Sequence, residues 1–210
     1  MRTSVTYCYS RDSSLLVDRL FLHTNNLNPT KIAVVAFYFD CTNATRRSAR
    51  SVALGLLKQI LYQSDTIPHQ VEECYDQNEM LGSQAKPDMK QLLSLFIRCA
   101  ESFSRVFVIL DAFDEALETE RHLVSDYLQS LAAIDRMRIL VFSRPNPIIL
   151  KDLEEKMCID RRDFVNVMAT SEDVETFISY TLEEKRKLGN PAHRIKDRIV
   201  QVITKDLEGK

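Results

Sequence analysis

Glycine is scarce in this chain. There are four in 210 residues, Gly55, Gly82, Gly189 and Gly209, and no two lie close together. A loop that wraps backbone amides around phosphate groups draws on clustered glycines, and no such cluster occurs. Nor does any apolar run approach the roughly 20 residues of a membrane helix. The N-terminus lacks the basic segment and long apolar core of a secretory signal. Charge of either sign is not in excess: Lys+Arg 28 stand against Asp+Glu 30, for a net charge of -2. That balance gives no electrostatic footprint for nucleic acid or an anionic membrane. The five cysteines, Cys8, Cys41, Cys74, Cys99 and Cys158, include no CxxC pair. Their odd number and spacing argue against a zinc site or a disulfide framework. They are expected to be reduced, mostly buried apolar residues. His23, His69, His122 and His193 are scattered and receive no metal or catalytic role. A Ser, Cys and His hydrolase is poorly supported, because no G-x-S-x-G elbow occurs. The expectation is a cytoplasmic protein.

What is present is an ordinary globular composition, 45% hydrophobic and 28% charged, long enough for one α/β domain with a real core. Three continuous apolar runs, Ile32–Phe39, Val106–Leu110 and Ile139–Phe142, predict strands buried on both faces, as in a parallel sheet. Phe164–Val167 is a weaker candidate. Val5–Tyr9 is β-prone and reads either as a strand or as an N-terminal tail. Ala49, Val52, Ala53, Leu56, Leu57 and Ile60 share one helical face. Leu92, Leu93, Phe96 and Ala100 share another, and Leu123, Val124, Tyr127, Leu128 and Leu131 a third. Asp76–Asp88, with Gly82 and Pro87, reads as a surface loop. Strands alternating with helices predict a doubly wound α/β domain. After it, Ser171 can cap a helix striped by Val174, Phe177, Ile178 and Leu182, which Gly189-Asn190-Pro191 ends. Domain boundaries are therefore expected at 1–168 for the α/β core and 169–210 for a helical annex.

The segment VFVILDAFDEA, Val106–Ala116, carries the clearest chemistry. Asp111 leaves a buried strand at its carboxyl end, where ligands sit in open α/β sheets. Asp114 and Glu115 follow on the loop. Such acids can hold Mg²⁺ and orient an attacking water, or simply cap a strand end and the next helix. One helix later, Ile139–Phe142 runs into Ser143, Arg144 and Pro145. Arg144 offers a fork of donors matched to phosphate, or else an ion pair for a neighbouring acid.

DAFDEA followed by FSRP resembles the Walker B and sensor pair of NACHT-type STAND P-loop NTPases. The closest flavour is the nephrocystin-like N-terminal domain of large fungal proteins with ankyrin or WD repeats. SSLLVDRL resembles the helix after their phosphate loop, and VVAFYFDCTN their second strand. SVALGLLKQIL resembles the next helix, and SEDVETFISYTLEEKRKL the start of their helical region. The resemblance runs from about Ser13 to the end. It implies Asp111 as the Mg²⁺-associated acid, Asp114 and Glu115 as water-activating groups, and Ser143 and Arg144 as nucleotide-binding residues, Arg144 sensing the γ-phosphate. It implies Mg-ATP or Mg-GTP as ligand, and a switch that signals through protein partners, self-association included.

One part of that pattern is missing. G-x-x-x-x-G-K-[ST] should precede the SSLLVDRL helix, where this chain has Tyr7-Cys8-Tyr9-Ser10-Arg11-Asp12. Each lost charge-assisted hydrogen bond removes on the order of 1.5–3 kcal/mol. Several such losses lower affinity by several tenfold steps. The expectation is a fragment of a P-loop NTPase core, incomplete at its N-terminus and unable to hydrolyse nucleotide by itself. The alternatives are a degenerate copy of the switch and a nucleotide-independent interaction scaffold.

Overall fold

The computed structural model describes residues 4–7, 16–22, 32–80, 86–157 and 164–166, together with Thr176. The chain divides into two compact units, Met1–Asn166 and Val167–Lys210. In the first unit a five-stranded sheet is built from β1 (Ser4–Tyr7), β2 (Ile32–Tyr38), β3 (Arg105–Asp111), β4 (Met137–Phe142) and β5 (Phe164–Asn166). Its order is β2-β3-β4-β1-β5, and every pairing is parallel. The helices are α1 (residues 16–22), α2 (Ala49–Gln63), α3 (His69–Met80), α4 (Met89–Ala100), α5 (Arg121–Ala132) and α6 (Pro147–Met157). Single 3-10 turns cover Ala44–Arg46 and Phe113–Glu115.

The strand order explains the two faces. From β1 the chain crosses to the far edge, then returns strand by strand through β3 and β4, and passes β1 to reach β5. Right-handed crossovers in opposite directions put their helices on opposite faces. Val17 of α1 accordingly packs with Val34, Ala36, Ile109 and Phe142 on one face. On the other, Ala33, Val35, Val106, Val108, Leu110, Ile139 and Val141 meet Leu56, Ile60, Leu92, Phe96, Leu128, Leu131 and Leu153 from α2, α4, α5 and α6. Consecutive residues of β2 to β4 thus alternate between two cores, so the runs look continuous in sequence.

Local signals set the helix ends. Ser48 caps α2 by accepting from the Ser51 amide, and Asp88 and Gln91 form a reciprocal capping box at α4. Pro147 opens α6, where its missing amide costs nothing. Three expectations are corrected. Asp76–Met80 belongs to α3 rather than to a loop, because Val71 and Cys74 supply a helical stripe against the core. Leu123 is 39% exposed, and Ser125 takes the buried place next to Val124. Cys41 is exposed, because it sits on the loop that leaves β2, whereas Cys99 is buried in α4. Ser171 and, apart from Thr176, the helix expected after it lie outside the described residues, as does Val167 at the end of the expected strand. So do Ser10, Arg11 and Asp12.

Candidate functional site at the carboxyl ends of the strands

The outgoing connections of β4 and β1 run to opposite faces, so the topological switch point lies between these neighbours. Ligand crevices in open parallel sheets form there, outside the carboxyl ends of the strands. The polar residues expected from the sequence collect beside it. Asp111 is the last residue of β3 and only 3% exposed. Ser143, 1% exposed, leaves the adjacent β4.

Between Asp111 and the 3-10 turn, Ala112 takes a left-handed conformation with φ 55 and ψ 45. It is the one described non-glycine residue at positive φ. The reversal swings Asp114 and Glu115 back across the strand ends. Two arginines clamp the backbone of that turn: Arg47 Nε donates to the Glu115 carbonyl at 3.0 Å, and Arg121 to the Asp114 and Ala116 carbonyls at 3.3 Å.

Arg144 then closes the cluster. Its backbone amide donates to Asp114 Oδ1 at 3.0 Å, and its guanidinium lies 3.4 Å from Asp114 Oδ2 and 3.1 Å from Glu115 Oε1. Ser143 Oγ is 3.4 Å from Asp114 Oδ1. The two acids are 16% and 19% exposed, whereas the arginine is 74% exposed. The acids are therefore built into the fold, and the cation reaches in from solvent.

Glu115 also reaches the exit of β2, where the Cys41 amide donates to its Oε2 at 2.8 Å. One carboxylate thus ties three strand exits together. Asp40, Cys41 and Glu115 present ligand atoms within 4.8 Å of one another. Asp40 is held below the ordinary carboxylate range by the Thr42 hydroxyl and then by the Thr42 amide. Asp40, Cys41, Arg47 and Arg121 escape sequence reasoning. Asp40, Cys41 and Arg47 join the site because β2 neighbours β3, a pairing that no local pattern specifies, whereas Arg121 reaches the turn from the start of the helix that follows it.

Two solved structures resemble this chain distantly. One, described as Drosophila ORC bound to GC-rich DNA and Cdc6, is 13% identical with a TM-score of 0.39, covering 97% of this chain and 70% of that one. The other, Drosophila ORC bound to AT-rich DNA and Cdc6, is 9% identical with a TM-score of 0.27, covering 95% and 80%. Neither likeness assigns a ligand or a partner here. A search of curated proteins finds no match. The family model described as Nephrocystin 3, N-terminal, matches residues 13–144, which is more than half of the chain and spans α1 to the β4 exit. The chain belongs to the nephrocystin 3 N-terminal family.

Proposed function

We propose that this domain is a nucleotide-responsive switch module of the STAND type, NACHT-like in its layout, that retains the cation and sensor half of its site. The observation that carries this reading is the convergence of Asp111, Asp114, Glu115, Ser143 and Arg144 beside the switch point of a parallel sheet. The residues suit a magnesium ion in type and charge. Their donors are hard carboxylate oxygens. Asp111, Asp114 and Glu115 outnumber the Arg144 guanidinium that meets the Asp114 and Glu115 carboxylates, while Arg47 and Arg121 engage the backbone of the turn. Asp111 and Asp114 would hold the ion, and it would neutralise phosphate charge there. Glu115, which accepts the Cys41 amide, would orient a water.

Arg144 makes this arrangement a switch. Its guanidinium pairs with Asp114 and Glu115. A bound phosphate competes for its fork of donors, and its release would free Glu115 to move with the β2 exit. The grip on phosphate is weak, because no glycine-lysine loop occurs in the sequence. We therefore assign nucleotide sensing rather than efficient turnover, with readout through protein partners or a second copy.

Calorimetry with Mg-ATP and Mg-GTP tests the reading. Binding on the order of 1 mM or weaker is expected. Arg144→Ala should weaken it by about tenfold or more, and Asp111→Asn should remove its dependence on Mg²⁺. Equal binding by wild type and both variants, or binding that ignores Mg²⁺, would sink the role assignments. A second reading is a nucleotide-independent scaffold. It is favoured by the way Arg144 already satisfies both acids, and complete absence of binding would select it.

A further inference from the structure

Among the described residues, an exposed apolar surface lies between α2 and α3 and shares no residue with the strand-end cluster. Leu54, Leu57, Leu61, Tyr62, Ile67 and Val71 line a groove of about 440 Å³ there, together with Lys58. Its walls are open to solvent: Leu54 is 42% exposed, Ile67 56% and Tyr62 80%, and Tyr75 of α3 adds a further ring at 66%. Several large apolar side chains exposed together, rather than singly, mark an interaction surface.

The charge beside the groove selects the partner. On α3, Val71 lines the groove and the exposed Tyr75 lies one turn further on. Glu72, Asp76 and Glu79 follow at the same spacing on the flank next to them, and all three are exposed. The opposite wall carries one cation, Lys58, with its Nζ 5.8 Å from the centre of the Tyr62 ring. His69 is engaged with Glu73 farther round the helix. An apolar floor beside three carboxylates repels nucleic acid and anionic lipid. A second copy would bring the same net-negative rim against itself.

We infer that the α2–α3 groove docks an amphipathic helix of another protein, whose apolar stripe fills the floor and whose Lys or Arg residues line the acidic flank. A helix laid into a groove is read by anchors at i, i+3, i+4 and i+7. Leu54, Leu57 and Leu61 on one wall and Ile67 and Val71 on the other supply the complementary ridges. The docking needs no nucleotide, so its fate is independent of the switch proposed above.

A fluorescently labelled Leu/Lys peptide of about four helical turns is the probe, titrated with the full chain by anisotropy. Its twin with Glu at every Lys position is the control. The Lys peptide should bind at least about tenfold tighter than the twin. Ile67→Asp, and separately the charge reversal Glu72→Lys/Asp76→Lys/Glu79→Lys, should each weaken it by about tenfold or more. All four positions are exposed, and circular dichroism checks that the variants remain folded. Equal binding of the two peptides, or binding untouched by Ile67→Asp, overturns the proposal. Sedimentation showing a dimer of the chain that Ile67→Asp dissociates also overturns it, because the groove's occupant is then a second copy.

Discussion

Ala112 takes a backbone conformation that suits glycine. A side chain in the left-handed region costs roughly 1–2 kcal/mol, and the turn it makes delivers Asp114 and Glu115 to the strand ends. Ala112→Gly should therefore raise stability by about 1 kcal/mol in denaturant unfolding, the strain relieved exceeding the entropy added to the unfolded chain. Ala112→Val should lower it by about 2 kcal/mol or more, because a β-branched residue tolerates positive φ worst. A loss on Ala112→Gly would contradict the strain argument. At this scale the sequence was partly legible. Asp111, Asp114, Glu115, Ser143 and Arg144 stand out by type and position. Their partners do not. That Arg144 chooses both loop acids, and that Glu115 also accepts the Cys41 amide, depends on a left-handed alanine and on strand adjacency.

Edge strand β2 is protected by α2 in an unusual manner. Strand β3 satisfies one side of β2, and the outward amides and carbonyls of Val34 and Ala36 need other partners. Gln59 and Gln63, one turn apart, provide them. Gln59 accepts from the Ala36 amide at 2.9 Å and donates to its carbonyl at 2.7 Å. Gln63 does the same for Val34 at 3.1 Å and 2.8 Å. Two side-chain amides thus take the place of a further strand. Gln59→Leu or Gln63→Leu should each cost about 1–3 kcal/mol in urea unfolding, the penalty for half-buried backbone groups left unpaired. The double variant should also aggregate sooner on heating, by light scattering, through the bared edge. Unchanged stability in both single variants would remove this role. The apolar face of α2 is plain in the sequence. Its glutamines look like solvent-facing residues, because their partners lie on a strand more than 20 residues away.

The domain as a whole should weaken in alkali, and the cause lies in its core. Burial raises the Cys99 thiol from 9.0 to about 11. Burial likewise raises Tyr127, whose hydroxyl is buried without a hydrogen-bond partner. Desolvation lowers Lys156 of α6, but its hydrogen bond to Asp126 and the charge of Asp152 outweigh that and leave it raised. All three hold their protons more tightly folded than unfolded. Their contribution is full below pH 9 and is lost as pH rises through the folded values. For Cys99 the loss between 9.0 and about 11 is on the order of 2–3 kcal/mol. Urea midpoints from pH 8 to 11 should fall, and less steeply in Cys99→Val. A flat wild-type profile would contradict this. Among the described residues no helix is long and apolar enough to cross a membrane.

Buried parallel strands at β2, β3 and β4, helices that cover them, and acids and an arginine at their exits are all written in the amino-acid order. Apolar periodicity and strand-end chemistry are local, and one chain displays them. It took the assembled fold to put Ser4–Tyr7 into the sheet between β4 and β5, which makes β1 a central strand rather than a tail. That fold also extended α3 through Asp76–Met80, opened the α2–α3 groove and gathered Asp40, Cys41 and Arg47 around Glu115. Each depends on which strands and helices become neighbours. That is settled by crossover handedness and by burial summed over the whole core, and no local window of sequence carries it.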